Sequence, residues 1–283
     1  MIETRNLSKR YGDTLVVDDV SLEIPRGGFT SIIGPNGAGK STLLSMISRL
    51  TPMSAGSVRI DGLDVTRTRG SELARRLSIL RQDNHTSLRL TVRDLVAFGR
   101  FPHSGGRLTA EDLRHVDEAM DYLRLNDYRD RPLDELSGGQ RQRAYVAMVM
   151  CQDTEYVLLD EPLNNIDMRF AVDMMQLLRR AADEKGKTVV VVLHDINFAS
   201  CYSDHIIAMR HGKPAYQGTP EEIIRDEVLR ELYEMDIRVH DVQGQRICVY
   251  FRMGAPGGLD DAGDAGGWEQ QAPACLVDDP ATA

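Results

Sequence analysis

The sequence is poor in the features that mark secreted, membrane-spanning or nucleic-acid-coating proteins. Cysteine is scarce: Cys151, Cys201, Cys248 and Cys275 are the only four in 283 residues and form no C-x-x-C pair. Neither a disulfide framework nor a zinc site is expected from such scattered thiols, which suit a reducing compartment. Long apolar runs are missing. The longest, Ala144–Cys151, has eight residues, against the roughly 18 that a bilayer-spanning helix needs. Met1-Ile2-Glu3-Thr4-Arg5 has no apolar stretch, so no secretory signal is expected. Basic charge is also short. Lys and Arg number 34 against 43 Asp and Glu, a net charge of −9, which argues against broad non-specific nucleic-acid binding but leaves room for a local basic patch.

What is present is an ordinary globular mixture, 42% hydrophobic and 27% charged, followed by a different composition. From Gly254 to Ala283 there are six Gly, three Pro, six acids and no Lys or Arg. A segment like this buries too little apolar surface to offset its ordering entropy. The folded domain is therefore expected over 1–251, with a disordered Gly/Asp-rich tail over 252–283. A tail that docks on a partner through Trp268 is the alternative.

Within 1–253, strand-like runs alternate with helical periodicity. The strand-like runs are Ser21–Ile24, Phe29–Ile33, Ser57–Ile60, Leu77–Leu80, Tyr156–Leu159, Thr188–Leu193 and His205–Met209. Helical stripes appear over 110–125 (Leu113, Val116, Met120, Leu123) and 168–184 (Ala171, Met174, Met175, Leu178, Ala182). The Met-bearing stripes read as core packing rather than a cofactor surface. Thr91-x-x-Asp94 and Thr109-x-x-Asp112 each read as a capping box that opens a helix. Residues 237–251 read as a hairpin turning at Gln243-Gly244. Strands separated by helices predict a largely parallel sheet covered on both faces, an architecture that binds ligands at the carboxyl ends of its strands.

One such end carries Gly34-Pro35-Asn36-Gly37-Ala38-Gly39-Lys40-Ser41-Thr42, a complete G-x-x-x-x-G-K-[ST], between the Phe29–Ile33 strand and a helix over Lys40–Ser48. Its glycines let successive backbone N–H groups point at phosphate oxygens, and the helix N-terminus adds positive potential. Lys40 reaches the β/γ-phosphates, and the Ser41 hydroxyl is suited to Mg²⁺. This predicts nucleoside triphosphate binding.

Four further features narrow the chemistry. The apolar strand Tyr156–Leu159 delivers Asp160 to its carboxyl end as a candidate Mg²⁺ ligand, and Glu161 follows as a candidate general base. Leu136-Ser137-Gly138-Gly139-Gln140 reads in two ways. Ser-x-x-Gln is a helix capping box. Yet paired glycines are an expensive first turn, at about 1 kcal/mol each, unless something approaches the backbone closely, and a bare helix N-terminus is an anion site. Gln82 and His194 each follow a predicted strand. The other histidines, His85, His103, His115, His205, His211 and His240, read as local hydrogen bonders without metal-ligand spacing to a nearby Cys.

Taken in order, the phosphate loop, Gln82, Leu136–Gln140, Asp160-Glu161, Asn164-Asn165-Ile166-Asp167 and His194 resemble the nucleotide-binding subunit of ATP-binding-cassette (ABC) transporters over about residues 1–250. The resemblance implies an α/β P-loop NTPase of the ABC ATPase type, with a RecA-like core, a helical subdomain over about 83–152 and an antiparallel β subdomain. It also implies ATP and Mg²⁺ as ligands. Tyr11 then stacks on adenine, Gln82 senses Mg²⁺ and the membrane subunit, Glu161 is the catalytic base, and His194 contacts the γ-phosphate. Residues 162–167 cross to a second copy. In the implied head-to-tail homodimer, Ser137, Gly138, Gly139 and Gln140 of one copy cover the ATP held by Gly34–Thr42 of the other. The stretches Thr91–Arg100, Glu161–Met168, His194–Asp204 and Arg246–Phe251 are similar to the import branch that drives uptake of iron–siderophore, haem or cobalamin. That likeness implies transmembrane permease subunits as partners, an extracytoplasmic siderophore-binding protein acting indirectly, no nucleic acid, and a peripheral place on the cytoplasmic face of the membrane. Arg81 stands where these relatives often carry proline or another uncharged residue before the loop glutamine. The alternative cargoes are haem, cobalamin or another metal chelate. The rival readings are a soluble cassette ATPase acting on ribosomes or DNA, and a subunit that binds ATP without hydrolysing it.

Overall fold

In the computed structural model, residues 1–82, 89–164 and 166–251 are described. His85, Asn165, Trp268, Cys275 and the predicted tail lie outside them. The chain opens with β1 (Ile2–Tyr11) and β2 (Thr14–Ile24), enters β3 (Gly28–Ile33), and passes through the glycine-rich loop into α1 (Lys40–Ile47). It continues with β4 (Ala55–Ile60), β5 (Leu63–Asp64), α2 (Gly70–Ala74) and β6 (Leu77–Leu80). A helical stretch follows, with α3 (Val92–Phe98), α4 (Phe101–Ser104), α5 (Ala110–Tyr122) and α6 (Gly138–Cys151). The second half runs β7 (Tyr156–Asp160), α7 (Met168–Lys185), β8 (Thr188–Val192), α8 (Ile196–Tyr202), β9 (His205–Arg210) and β10 (Lys213–Gly218). Helices α9 (Pro220–Ile223) and α10 (Asp226–Tyr233) precede the hairpin β11 (Arg238–Val242) and β12 (Gln245–Val249). That hairpin turns at Gln243 and Gly244, both with positive φ, the backbone a two-residue turn of this hand requires.

Two larger sheets form. One is antiparallel in the order β2-β1-β4-β5; the other has the order β10-β9-β3-β8-β7-β6. The second is parallel except where β10 returns antiparallel to β9. Because successive residues of a strand face opposite sides, its central strands feed two cores. Phe29, Val157, Leu159, Val189 and Val191 pack with the helices α3, α5, α6 and α7. Ile32, Tyr156, Leu158, Val190 and Val192 pack with α1 and the antiparallel sheet. Every residue of β7 and β8 is buried, which is why those segments read as unbroken apolar runs rather than alternating ones. The α7 stripe of Met174, Met175, Leu178 and Ala182 lies in the helical core.

Strand β1 escapes the sequence reading, and β2 begins earlier than the Ser21–Ile24 expected. The cause is a bulge. Asn6 has a φ of 47°, and the pairing with β2 shifts register between Thr4 and Leu7. Inward positions are therefore Ile2 and Thr4 before it and Leu7 and Lys9 after it, so the period-2 pattern changes phase mid-strand.

The helical layer is tied by a buried ion pair. Arg100 Nε donates to Asp112 Oδ1 at 2.9 Å, and Arg100 Nη1 donates to the Cys151 carbonyl at 3.0 Å. Asp112 Oδ2 also accepts from the Thr109 amide and hydroxyl in the capping box of α5. Those Thr109 bonds, led by the amide, together with Arg100, hold the Asp112 carboxyl down to about 2. A depressed carboxyl stabilises the fold above its unfolded value of 3.8 and loses that contribution as pH falls towards about 2. Asp112→Ala leaves Arg100 buried without its partner, so urea unfolding at neutral pH should show a loss of about 3–5 kcal/mol. A loss below about 1 kcal/mol would show that the pair does not hold this layer together.

Candidate active site

The register of the parallel sheet sets the site. Ile32 lies opposite Val192, Val192 opposite Asp160, and Leu159 opposite Leu80. Gly34, His194, Glu161 and Gln82 each follow one of these residues by one or two positions. Four segments far apart in sequence are thereby delivered to one edge.

The first is the phosphate loop. Gly34 has a φ of 139°, and a Cβ there would sit 2.1 Å from the Met209 carbonyl oxygen. Gly39 has a φ of 92°, with Val16 O 2.6 Å from the corresponding position. Only glycine fits either place without moving a neighbouring strand. Gly39 caps α1, so the amides of Lys40, Ser41 and Thr42 open that helix with no intrahelical acceptor, at its positive end. Asn36 and Gly37 are exposed on the crest of the loop, and the Ala38 amide bonds back to Pro35 O at 3.3 Å. Lys40 is buried, its Nζ donating to Gly34 O at 2.8 Å and Pro35 O at 2.9 Å. Burial pushes its pKa down, against the opposing pull of Glu161 and Asp160.

Glu161 is the hub. It is only 9% exposed, yet three side chains reach its carboxylate. His194 Nε2 lies 2.7 Å from Oε1, Gln82 Nε2 donates to Oε2 at 2.7 Å, and Asn164 Nδ2 also donates to Oε2. Its backbone has a φ of 51°, a left-handed conformation that strains a residue with a side chain. The strain turns the chain sharply at the end of β7. Next to Glu161, Leu163, Asn164, His194, Asp195 and Phe198 line a cleft of about 330 Å³. His194 is held at the rim because Asp195 caps α8 by accepting from the Asn197 and Phe198 amides.

The oxygen groups suited to a hard cation also meet. Ser41 Oγ donates to Asp160 Oδ1 at 2.8 Å, and Gln82 joins through Glu161. Burial raises the Asp160 pKa, the sign of a buried carboxylate short of positive charge. Among the described residues no three His, Cys, Asp or Glu side chains gather as a complete metal cage. Mg²⁺ does not need one, since it takes one or two carboxylates and fills its shell with phosphate oxygens and water. The residues fit Mg²⁺ held jointly with a nucleotide.

Two predicted residue groups stand apart from this cluster. Tyr11 ends β1, 51% exposed, with Lys9 Nζ 4.7 Å from its ring centroid. Its hairpin comes back to the loop through Val16, whose carbonyl crowds Gly39. Ser137 caps α6, accepting from the Gln140 amide at 3.3 Å, while Gln140 Oε1 accepts from the Ser137 amide at 3.0 Å. The capping-box reading of this segment is thus realised. Part of the glycine requirement is internal: a Cβ on Gly139 would meet the Phe170 ring at 3.1 Å. Ser137 and Gly138 remain exposed.

The expectation that His205 is a satisfied hydrogen bonder does not hold. Its Nε2 is buried without a partner among the described residues, and burial pushes its pKa down. Asn164 was legible only as part of a loop, with no signal that it would reach Glu161. Tyr233, whose hydroxyl oxygen accepts from the Gly34 amide at 3.1 Å, gave no signal at all.

Comparison with known proteins shows the family. Residues 17–164 match the ABC transporter family. The petrobactin import ATP-binding protein YclP of Bacillus subtilis (strain 168) is 53% identical over 251 residues, 89% of this chain and 100% of the relative. The ferric enterobactin transport ATP-binding protein FepC of Escherichia coli (strain K12) is 42% identical over 254 residues, 88% of this chain and 94% of the relative. Among solved structures, the dimeric post-hydrolysis state of the ATP-binding cassette MJ0796 bound to ADP and Pi is similar with a TM-score of 0.70 and 29% identity, over 78% of this chain and 99% of that one. An inward-facing metal-chelate type ABC transporter shares the fold with a TM-score of 0.76 at 22% identity, over 88% of this chain and 98% of that one. With a glycine loop, an Asp-Glu strand end and His194 on one sheet edge, in a chain so similar to import ATP-binding proteins, the conclusion is that the chain belongs to the ABC transporter family, as an ATP-binding subunit that hydrolyses ATP.

Proposed function

We propose that this chain energises uptake of a ferric siderophore by hydrolysing ATP beneath a partner permease. The observation that carries the hydrolytic half is the Glu161 hub, two strands away from the phosphate loop with β8 between them. A carboxylate offers about four lone-pair positions. His194, Gln82 and Asn164 occupy three of them, which leaves one for a water molecule and fixes the direction from which it is held. In this reading Glu161 accepts the proton of the attacking water. The loop amides and Lys40 hold the phosphates, and His194 contacts the γ-phosphate. Tyr11 stacks on the adenine. Ser41, Asp160 and Gln82 would hold Mg²⁺, which would supply neutralisation of phosphate charge. What these protein groups contribute is positioning and electrostatics, the terms that dominate phosphoryl transfer.

The proposed assembly is a pair of these chains, with Ser137–Gln140 of each closing over the nucleotide held by the other. The exposed Ser137 and Gly138 at the start of α6 favour it, as do the dimeric cassettes among its structural relatives. Closure of the pair on ATP and its reopening after hydrolysis would drive the permease. The subunit is proposed to sit peripherally on the cytoplasmic face beneath that permease, a place supported by relatives named as import ATP-binding proteins; no helix among the described residues is long and apolar enough to cross a membrane. An extracytoplasmic siderophore-binding protein would deliver the cargo. The cargo class rests on relatives named for petrobactin and ferric enterobactin.

Two measurements test the proposal. Lys40→Ala should weaken ATP binding at least about tenfold by calorimetry, and unchanged affinity would contradict the phosphate-loop assignment. A strain lacking the gene should fail to take up one radiolabelled ferric siderophore from a panel. The parental gene should restore uptake and Glu161→Gln should not. Normal uptake of every chelate in the deletion strain would overturn the transport assignment.

A further inference from the structure

Gly34 is the first residue of the phosphate loop and is held on three sides. Its would-be Cβ position is closed by the Met209 carbonyl of β9 at 2.1 Å. Its own carbonyl accepts from Lys40 Nζ at 2.8 Å. Its amide donates to the Tyr233 hydroxyl oxygen at 3.1 Å, across 199 positions of sequence. The first two restraints belong to the nucleotide-binding core. The third comes from the last residue of α10, near the far end of the fold.

Helix α10 is a firm base for such a contact. Leu229 and Leu232 are buried in the helical core with Ile223, Ile224 and Ile237. Arg210, which ends β9, donates to the Glu231 carbonyl at 2.7 Å and pairs with Glu234. At the other end, Asp226 accepts from the Val239 amide of the hairpin at 2.8 Å. The hairpin in turn grips α8, the helix that follows His194. Asn197 Oδ1 accepts from the Cys248 amide at 2.7 Å, and Ser200 Oγ donates to the Arg246 carbonyl at 2.6 Å. The C-terminal elements therefore touch the nucleotide site at both ends, through Gly34 and through the helix behind His194.

We propose that the Tyr233 hydroxyl is a positioning group for nucleotide binding: by holding the Gly34 amide it fixes the Ile33–Gly34 peptide, which adjoins at the Gly34 Cα the peptide whose carbonyl seats Lys40, and so sets the start of the phosphate grip from the C-terminal end of the fold. The inference rests on the reading of Gly34–Thr42 as the ATP phosphate site. A phenylalanine at 233 fills the same space but has no oxygen. The Gly34 amide would then lose its acceptor and the loop one of its three restraints. Loss of one such bond corresponds to about a three- to tenfold change, and it should fall on binding rather than on the chemical step.

The test compares Tyr233→Phe with Tyr216→Phe, which removes the hydroxyl that reaches Glu231 on the same helix but away from the loop. For Tyr233→Phe, the ATP Kd by calorimetry and the KM for hydrolysis should both rise about three- to tenfold with kcat within about twofold. Tyr216→Phe should leave Kd and KM at parental values. If Tyr233→Phe keeps parental Kd and KM while its Tm falls, the hydroxyl is merely structural and the inference is overturned. Equal shifts in both variants would overturn it as well, by showing a general weakening of α10. Lys40→Ala in the same series separates the two levels. If it loses ATP affinity while Tyr233→Phe does not, only the Tyr233 inference fails; if it keeps affinity, the phosphate-site reading fails and takes the inference with it.

Discussion

The structure depends first on the register of a buried parallel sheet. Because Ile32, Val192 and Asp160 share one row across β3, β8 and β7, the chains that leave those strands enter one volume. A one-residue slip would swap the two faces of a strand between two separately packed cores. It would also move Glu161 and His194 out of reach of each other. The packing that specifies register is therefore the same packing that assembles the site.

Within that frame the Glu161 carboxylate concentrates the site's polar contacts. It lies at the end of a strand buried along its whole length, on a backbone with a φ of 51°. A non-glycine residue there costs about 1–3 kcal/mol. Hydrogen bonds from Gln82 and Asn164 and the contact with His194 offset that strain, and each partner comes from a different segment. Gln82 follows β6, Asn164 opens the connection to α7, and His194 precedes α8. Movement of any of these segments would therefore be felt at the carboxylate. On the opposite side, Tyr233 and the hairpin contacts with α8 connect the same edge to the C-terminal elements.

Much of this is legible in the amino-acid sequence, and the reasons are local. The phosphate loop announces itself because its chemistry lies in nine consecutive residues whose backbone conformation demands glycine. The capping boxes at Thr91 and Thr109 are four-residue signals, and both form. Strands β7 and β8 stand out because burial on both faces gives them unbroken apolar runs, Tyr156–Leu159 and Val189–Val192. What escaped detection is non-local or out of phase. Strand β1 hides behind the bulge at Asn6. The reason for Gly139 lies partly in Phe170, which approaches from the next helix. The acceptor for Gly34 lies 199 residues away, on a helix whose own pattern explains only its packing. Spacing rules see neighbours in sequence, and these contacts are neighbours only in the fold.

The central claim is that ATP is held between two of these chains and that Glu161 releases it by hydrolysis. The most direct measurement is the mass of Glu161→Gln by light scattering, with and without ATP and Mg²⁺. The account predicts single chains without nucleotide and a stable species of twice that mass with it, containing unhydrolysed ATP. A variant that remains a single chain at saturating ATP and Mg²⁺, or that turns the nucleotide over at the parental rate, would contradict it.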